Sequence, residues 1–81
     1  MTEVSASAET SQVLSEFWME LLDLDSVGPD DHLLELGGNS LIATMVANRI
    51  ELAWGFRPTI SELLTNSFHE IADLCERGRV G

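Results

Sequence analysis

The first apolar pattern of the chain is that of an amphipathic helix. From about Glu9, apolar side chains recur in pairs at intervals of four, the spacing of one face of an α-helix. Acidic residues fall on the opposite side, and the pattern stops near Leu24. We therefore predict a first helix over about residues 9–24, preceded by a flexible N-terminus over residues 1–8. The apolar face consists of Val13, Leu14, Phe17, Trp18, Leu21 and Leu22.

Residues 25–39 are predicted to form a long first loop. A Gly-Pro pair and a Gly-Gly pair interrupt any regular pattern there. A loop of about fifteen residues is unusual in a small domain and is normally either functional or disordered. Because Val27, Leu33, Leu34 and Leu36 can anchor this segment to a core, we expect it to be ordered.

The sequence after the loop again contains features that are typical of helices. A second helix is predicted over residues 40–54, and Gly55 has the position of a C-terminal cap. The capping-box spacing, Ser or Thr followed three residues later by Glu, then occurs at Thr59 and again at Ser67. We expect a short helix after the first of these signals and a last helix after the second, ended by Gly78.

Length and pattern together predict one all-α domain. The chain has 81 residues and 44% hydrophobic content, enough for one small core. No alternating strand pattern occurs. We predict a small four-helix bundle, with three main helices, one short helix and the long first loop, over residues 9–77. Residues 78–81 are expected to be a flexible C-terminus.

The charge of the chain narrows the possible partners. Fourteen Asp and Glu residues against four Arg give a formal charge of −10. Nucleic acids and anionic membranes attract basic surfaces, so this balance argues against both and favours a basic protein partner and a monomer. No apolar run approaches the length of a membrane span. A single cysteine, Cys75, excludes an intrachain disulfide, and we expect a cytoplasmic location.

The segment that could carry chemistry is Leu-Gly-Gly-Asn-Ser-Leu at residues 36–41. Gly37 and Gly38 allow a tight turn, and Ser40 follows Asn39 at the start of the second helix. Free N–H groups and the positive end of the helix dipole favour an anionic substituent there, such as a phosphodiester on Ser40. The alternative is that Ser40 is an ordinary N-cap. The two interpretations are not exclusive.

A small apolar edge is predicted beside this serine. At about 100° per residue, Leu41 and Met45 lie well around the second helix from its core face, flanked by Thr44 and Asn48. This edge could dock partner proteins. Alternatively, both side chains are half-buried core residues, or the long loop covers them together with Leu52. The predicted core face consists of Ile42, Val46, Ile50 and Ala53.

Other chemistry has weaker support in the sequence. A nucleophile elbow, Gly-x-Ser-x-Gly, needs a glycine at the position of Ile42 and a preceding strand. A hydrolase would also need His32 or His69 to reach Ser40. Neither histidine has companions at metal-ligand spacing, so no metal site is predicted. Cys75 is expected to be a buried, inert thiol.

Residues 34–43 resemble the core motif of peptidyl carrier proteins, the thiolation domains of nonribosomal peptide synthetases. The resemblance also includes an aromatic pair in the first helix, Phe17-Trp18, and a Phe-x-x-Ile-Ala-x-Leu sequence that begins at Phe68. It covers about residues 10–76, nearly the whole chain. The double glycine favours this branch over the acyl carriers of polyketide and fatty acid pathways, which more often have one glycine before Asp-Ser-Leu.

The resemblance implies a specific function. Such domains are four-helix bundles whose serine, here Ser40, receives 4′-phosphopantetheine from coenzyme A through a phosphopantetheinyl transferase. The arm then carries an aminoacyl or peptidyl group as a thioester among partners such as an adenylation enzyme and condensation or tailoring enzymes, as in antibiotic biosynthesis. The chain itself would be no enzyme, and we expect it to be free-standing. The alternatives are an acyl carrier protein and an unmodified acidic helical adaptor.

Overall fold

Four helices form the protein in the computed structural model, which describes residues 2–78, with side chains from residue 9 onward. In chain order they are α1 (Thr2–Leu22), α2 (Ser40–Trp54), α3 (Ile60–Thr65) and α4 (Phe68–Gly78). Within residues 2–78 the only β-type pairing is an isolated bridge between the loop and the residue before α4. The prediction of an all-α bundle with one short helix is therefore confirmed. None of these helices is long and apolar enough to cross a membrane.

Both ends of α1 differ from the prediction. The helix begins at Thr2 rather than near Glu9, because the small residues before Glu9 continue the helical backbone without contributing to the apolar stripe. It ends at Leu22, two residues before the predicted Leu24, since Asp23 adopts a left-handed conformation with φ 58°. The predicted flexibility of residues 1–8 stays a prediction. At the other terminus, Gly78 lies within α4, and residues 79–81 lie outside the described part of the chain.

The core combines all four helices with one residue of the loop. Trp18 of α1 is fully buried and meets Phe68 of α4 edge to face, with ring centroids 5.1 Å apart. Aromatic pairs of this geometry add to the stabilisation from burial. The contact therefore packs the first helix against the last. The other buried apolar residues are Leu14, Leu33, Ala43, Val46, Ala47, Ile50, Trp54, Leu63, Ile71, Ala72 and Cys75.

The buried face of α2 is rotated from the predicted one. Ala53 is exposed and Ile42 is only half-buried, although both were predicted to lie on the core face. Ala43, Ala47 and Trp54 are buried instead, which turns the core face by about 60° around the helix. The bulky indole ring of Trp54 occupies the core at the last turn, so Ala53 lies outside it.

The long loop is ordered, as predicted, and α4 holds it in place. The N–H groups of Phe68 and His69 donate to the carbonyl oxygens of Asp31 (2.7 Å) and Pro29 (3.0 Å). The first N–H groups of a helix have no acceptor within that helix, so the loop satisfies the start of α4 while α4 fixes the loop. The side chain of Leu33 is fully buried in the core.

The predicted caps at Gly55 and Thr59 are confirmed, whereas the capping box predicted at Ser67 has only one of its two arms, since Oγ of Ser67 has no hydrogen-bond partner. Gly55 has φ 73°, and its N–H donates to the carbonyl of Glu51 at 2.9 Å. Thr59 and Glu62 form both arms of a capping box. At the start of α4, Glu70 accepts a hydrogen bond of 2.8 Å from the N–H of Ser67, and this hydrogen bond lowers the pKa of the Glu70 carboxyl.

Two neighbouring leucines of the loop test its anchoring. Leu33→Ala removes a fully buried side chain, so we expect it to lower the free energy of unfolding by about 2–5 kcal/mol. Leu34 is 55% exposed, and Leu34→Ala is expected to stay within about 0.5 kcal/mol of the parent. Urea denaturation followed by circular dichroism measures both. Equal losses in the two variants would contradict the assignment of Leu33 as the anchor.

Candidate functional site

The two glycines before α2 are required for different reasons. Gly37 has φ +95°, a conformation that residues with a side chain rarely adopt. Gly38 has an ordinary φ, but a Cβ atom there would lie 2.7 Å from both the side chain and the carbonyl oxygen of Leu33. The N–H of Gly38 donates to that same carbonyl oxygen at 2.8 Å. The chain therefore turns directly against the buried Leu33 before it enters the helix.

Asn39 is the N-cap of α2. Its backbone is extended, with φ −152° and ψ −172°, and its Oδ1 accepts a hydrogen bond of 3.0 Å from the N–H of Ile42. The alternative that Ser40 caps the helix is therefore wrong. The turn at Gly38 places Asn39, the residue before Ser40, in the non-helical capping position. From there a short polar side chain can accept a hydrogen bond from one of the first free N–H groups of the helix.

Ser40 is the first residue of α2 and is exposed. Because the side chain of Asn39 caps the helix, the hydroxyl of Ser40 is not needed for capping. The carbonyl oxygen of Ser40 accepts a hydrogen bond of 2.9 Å from Oγ1 of Thr44. No acidic residue lies in the first turn of this helix. The structure thus presents a hydroxyl at the uncompensated positive end of a helix dipole.

An exposed apolar stripe runs along α2 from this serine. Leu41 is 68% exposed, Met45 38% and Leu52 86%, and the three lie within about 40° of one another around the helix. Leu41 and Leu52 are therefore covered neither by the core nor by the loop, whereas Met45 is partly covered, as the half-buried alternative expects. Leu34, in the loop before the motif, is 55% exposed as well. We call the residues predicted to dock partners, Leu41, Thr44 and Met45, the docking edge.

The sequence predicts Leu34 as an anchor of the loop in the core, and this prediction is wrong, because Leu34 is 55% exposed. Coverage of the edge and of Leu52 by the loop was one of the alternatives that the sequence left open, and Leu52 is 86% exposed. A leucine in a loop does not reveal whether it points inward or outward, because a loop has no fixed periodicity. The angular position of Leu52, by contrast, already coincided with that of Leu41 and Met45. The position of the loop relative to α2 was the missing information.

The remaining candidate groups are the two histidines and the cysteine. Nε2 of His69 lies 4.0 Å from Oδ1 of Asp30 at the surface, and His32 forms the isolated bridge with Ser67. Burial raises the pKa of the Cys75 thiol to about 12, so the thiol stays protonated and unreactive at neutral pH. Among the side chains that the structure describes, no group of three potential ligands could hold a metal ion.

A groove of about 240 Å³ lies between α3 and α4, away from the serine motif. None of the residues at positions 36–45 lines it. Ser40 itself is exposed, an arrangement that suits a covalently attached group better than a substrate enclosed in a pocket. The lining residues are Glu62, Asn66, Glu70, Asp73, Leu74 and Arg77.

Comparison with known proteins matches this chain to carrier domains. Residues 12–77 match the family described as phosphopantetheine attachment site. A dimodular nonribosomal peptide synthase of Bacillus subtilis (strain 168) is 37% identical over 70 residues, which is 86% of this chain and 3% of that protein. Bacitracin synthase 2 of Bacillus licheniformis is 33% identical over 60 residues, 74% of this chain and 2% of that protein. The chain thus spans only a few per cent of the length of these relatives.

A solved structure has the same fold. BlmI, a type-II acyl carrier protein from Streptomyces verticillus involved in bleomycin biosynthesis, superposes with a TM-score of 0.84 and 28% sequence identity. The match covers 94% of this chain and 93% of that one. The helical architecture around the serine motif is therefore shared with a carrier protein of similar length.

Two alanine variants distinguish the role of Asn39 in capping from that of Ser40. Because Asn39 caps α2, Asn39→Ala is expected to lower the free energy of unfolding by about 0.5–2 kcal/mol. Ser40→Ala removes an exposed hydroxyl that is not the cap, so we expect a change within about 0.5 kcal/mol. Chemical denaturation of the unmodified chain measures both. A larger loss in Ser40→Ala than in Asn39→Ala would reverse the capping assignment.

Proposed function

We propose that Ser40 bears the prosthetic group of this chain, which belongs to the phosphopantetheine attachment site family. Membership confirms the family expected from the serine motif. The chain is a carrier-protein domain that serves partner enzymes and is not itself catalytic, and its prosthetic group is covalently attached 4′-phosphopantetheine. The unmodified adaptor is therefore set aside.

The surroundings of Ser40 fit a phosphodiester. The hydroxyl is exposed, and the cap of α2 is supplied by Asn39. An anion attached there would lie at the positive end of the helix dipole. The single observation that carries the proposal is this exposed hydroxyl at the first position of α2, beside a cap that another residue provides. When attached, the group supplies a terminal thiol that holds an acyl group as a thioester.

The acyl group is proposed to be aminoacyl or peptidyl. The support is the likeness to nonribosomal peptide synthetases and the double glycine at Gly37 and Gly38, each required by the geometry of the turn. BlmI is described as an acyl carrier protein, so a polyketide or fatty acyl cargo is the alternative. A free-standing carrier in the cytoplasm stays the prediction.

Partner enzymes are proposed to dock on the surface beside Ser40. The expected partners are a phosphopantetheinyl transferase, an adenylation enzyme and condensation or other tailoring enzymes. The docking edge, Leu41, Thr44 and Met45, lies within the first two turns after the serine, and burial of its exposed apolar area would stabilise a complex. The charge of −10 would steer basic partners toward the chain, an effect that salt weakens.

Loading of the serine tests the attachment site. After incubation with coenzyme A and a broad-specificity phosphopantetheinyl transferase, intact mass spectrometry should show a gain of one phosphopantetheine. Ser40→Ala should show no gain. Ser61→Ala is the matched control, because Ser61 is also an exposed serine in the first turn of a helix, and it should load like the parent. A gain in Ser40→Ala would refute the assignment of Ser40.

A charge on the docking edge tests partner recognition. Met45→Glu places a carboxylate where apolar contact is expected, so we expect the rate of aminoacyl transfer to the loaded chain to fall by about 10-fold, which corresponds to about 1.4 kcal/mol. The control is Ala53→Glu, because Ala53 is exposed on α2 but lies about 120° around the helix from Leu41. Circular dichroism should show both variants folded. Equal rates with every partner would contradict the docking edge.

A further inference from the structure

The charge of the chain is unevenly distributed. Residues 36–61, which contain the serine motif and α2, hold one of the fourteen acidic residues but two of the four arginines. Their net charge is therefore +1, whereas the rest of the chain, with thirteen acidic residues and two arginines, has a net charge of −11. The charge of the whole chain acts on a partner at a distance, within the limit set by screening. The contact itself depends on the groups at the surface that meets the partner.

Leu52 lies on the same face of α2 as Leu41 and Met45. It is 86% exposed and lies about 20° around the helix from each of these two residues. The helical rise of about 1.5 Å per residue places it about 16 Å from Leu41 along the helix axis. A single exposed leucine needs no explanation. Three apolar side chains in one line, however, extend the exposed apolar face to the C-terminal end of α2.

On one side of Leu52, Arg57 lies along the last turns of α2. Its Nη1 atom donates to Oδ1 of Asn48 at 2.6 Å and to Oε1 of Glu51 at 3.0 Å. Asn48 lies about 40° around the helix from Leu52 and one turn before it, so these bonds bring the guanidinium beside the leucine. The side chain of Arg57 is 41% exposed. Because a guanidinium has five N–H donors, Arg57 keeps N–H groups that these two bonds do not use.

On the other side of Leu52 lies Arg49, about 60° around the helix. Its Nη1 atom forms an ion pair of 2.6 Å with Oε1 of Glu20 in α1, and its guanidinium carbon lies 5.9 Å from the centre of the Phe17 ring. The side chain of Arg49 is 37% exposed. Leu52 therefore lies between two partly exposed guanidinium groups, each held by contacts within the chain.

A basic partner surface fits poorly against these three residues. Its lysines or arginines would meet two guanidinium groups, and like charges that meet at an interface are unfavourable. An apolar pocket bordered by carboxylates fits better, because it would bury the leucine and offer the acceptors that arginine binds most strongly. The ion pairs of both arginines are at the surface, where such pairs contribute little to stability, so each arginine can share a second carboxylate.

We propose that Leu52, Arg49 and Arg57 form a second contact with partner enzymes, the distal patch, and that it fits an apolar pocket with carboxylates at its rim. The docking edge would contact a partner close to Ser40, and the distal patch would contact it about 18 Å farther along α2. An interface of ordinary size, about 800 Å² on each protein, spans this distance. Two separated contacts fix the orientation of the partner. This inference rests on the proposed attachment at Ser40.

Reversal of the charge at Arg57 distinguishes the two kinds of partner surface. The assay is aminoacyl transfer to the phosphopantetheine-loaded chain by an adenylation enzyme that acylates the parent, measured as kcat/KM. Arg57→Glu makes the chain more acidic, so a basic partner surface would bind it better and kcat/KM would rise. For a pocket with carboxylates at its rim, we expect kcat/KM to fall by about 10-fold.

The matched control for this variant is Arg77→Glu. Arg77 is exposed in the last turn of α4, so the variant changes the net charge by the same amount outside the distal patch and should transfer like the parent. Arg57→Gln removes the charge without reversing it, and its kcat/KM should fall less than that of Arg57→Glu. An unchanged or higher kcat/KM in Arg57→Glu would overturn the proposal.

Leu52 is tested by Leu52→Gln, which replaces the apolar side chain by a polar one of similar size. We expect kcat/KM to fall by about 10-fold, because the amide would lose its water in an apolar pocket. Leu52→Met keeps an apolar side chain and should lose less. Ala53→Gln is the control, since Ala53 is also exposed but lies about 100° around the helix. Circular dichroism should show all variants folded. Equal values for Leu52→Gln and Ala53→Gln would likewise overturn the distal patch.

Failure of the attachment itself is distinguishable from failure of the distal patch. Every variant is first incubated with the transferase and coenzyme A, and its mass is measured. A parent chain that gains no mass removes the attachment at Ser40 and this inference with it. A loaded parent whose acylation is slowed by Met45→Glu, but not by Leu52→Gln or Arg57→Glu, keeps the attachment site and the docking edge and overturns only the distal patch.

Discussion

The contact between Leu33 and Gly38 determines where the site lies. Leu33 is fully buried, and its carbonyl oxygen accepts the N–H of Gly38 at 2.8 Å, with no room for a Cβ between the two residues. This close approach ties the last turn of the loop to the core. As a result Asn39 enters the helix in the capping position and Ser40 becomes its first, exposed residue. A loop held less firmly would leave the start of α2 undefined.

The loop itself depends on α4. The N–H groups at the start of α4 donate to carbonyl oxygens of the loop, and Trp18 packs against Phe68 at the same end of that helix. The first and last helices and the loop therefore form one connected unit. The residues of the proposed docking edge are not among those that make these contacts.

Capping falls on Asn39 and the proposed modification on the adjacent Ser40. If Ser40 were the N-cap, its oxygen would be held by a backbone N–H, and attachment of a phosphodiester would compete with that bond. With Asn39 as the cap, the helix keeps its first turn whether or not the serine is modified. The first turns of α3 and α4 each contain an acidic residue, whereas the first turn of α2 contains none. An anion attached to Ser40 would therefore be the negative group at the positive end of this helix dipole.

The sequence alone was sufficient for the number and order of the four helices, the cap at Gly55, the capping box at Thr59 and the serine motif, because these depend on periodicity and on local backbone preferences. It did not predict either end of α1 or the inclusion of Gly78 in α4. The rotation of the buried face toward Trp54 could not be predicted, since it depends on how the indole fits among the other helices. Likewise, the motif allowed either Asn39 or Ser40 to cap the helix. Only the buried Leu33, five residues before Gly38, decided between them, because it sets the point at which the turn ends and the helix begins.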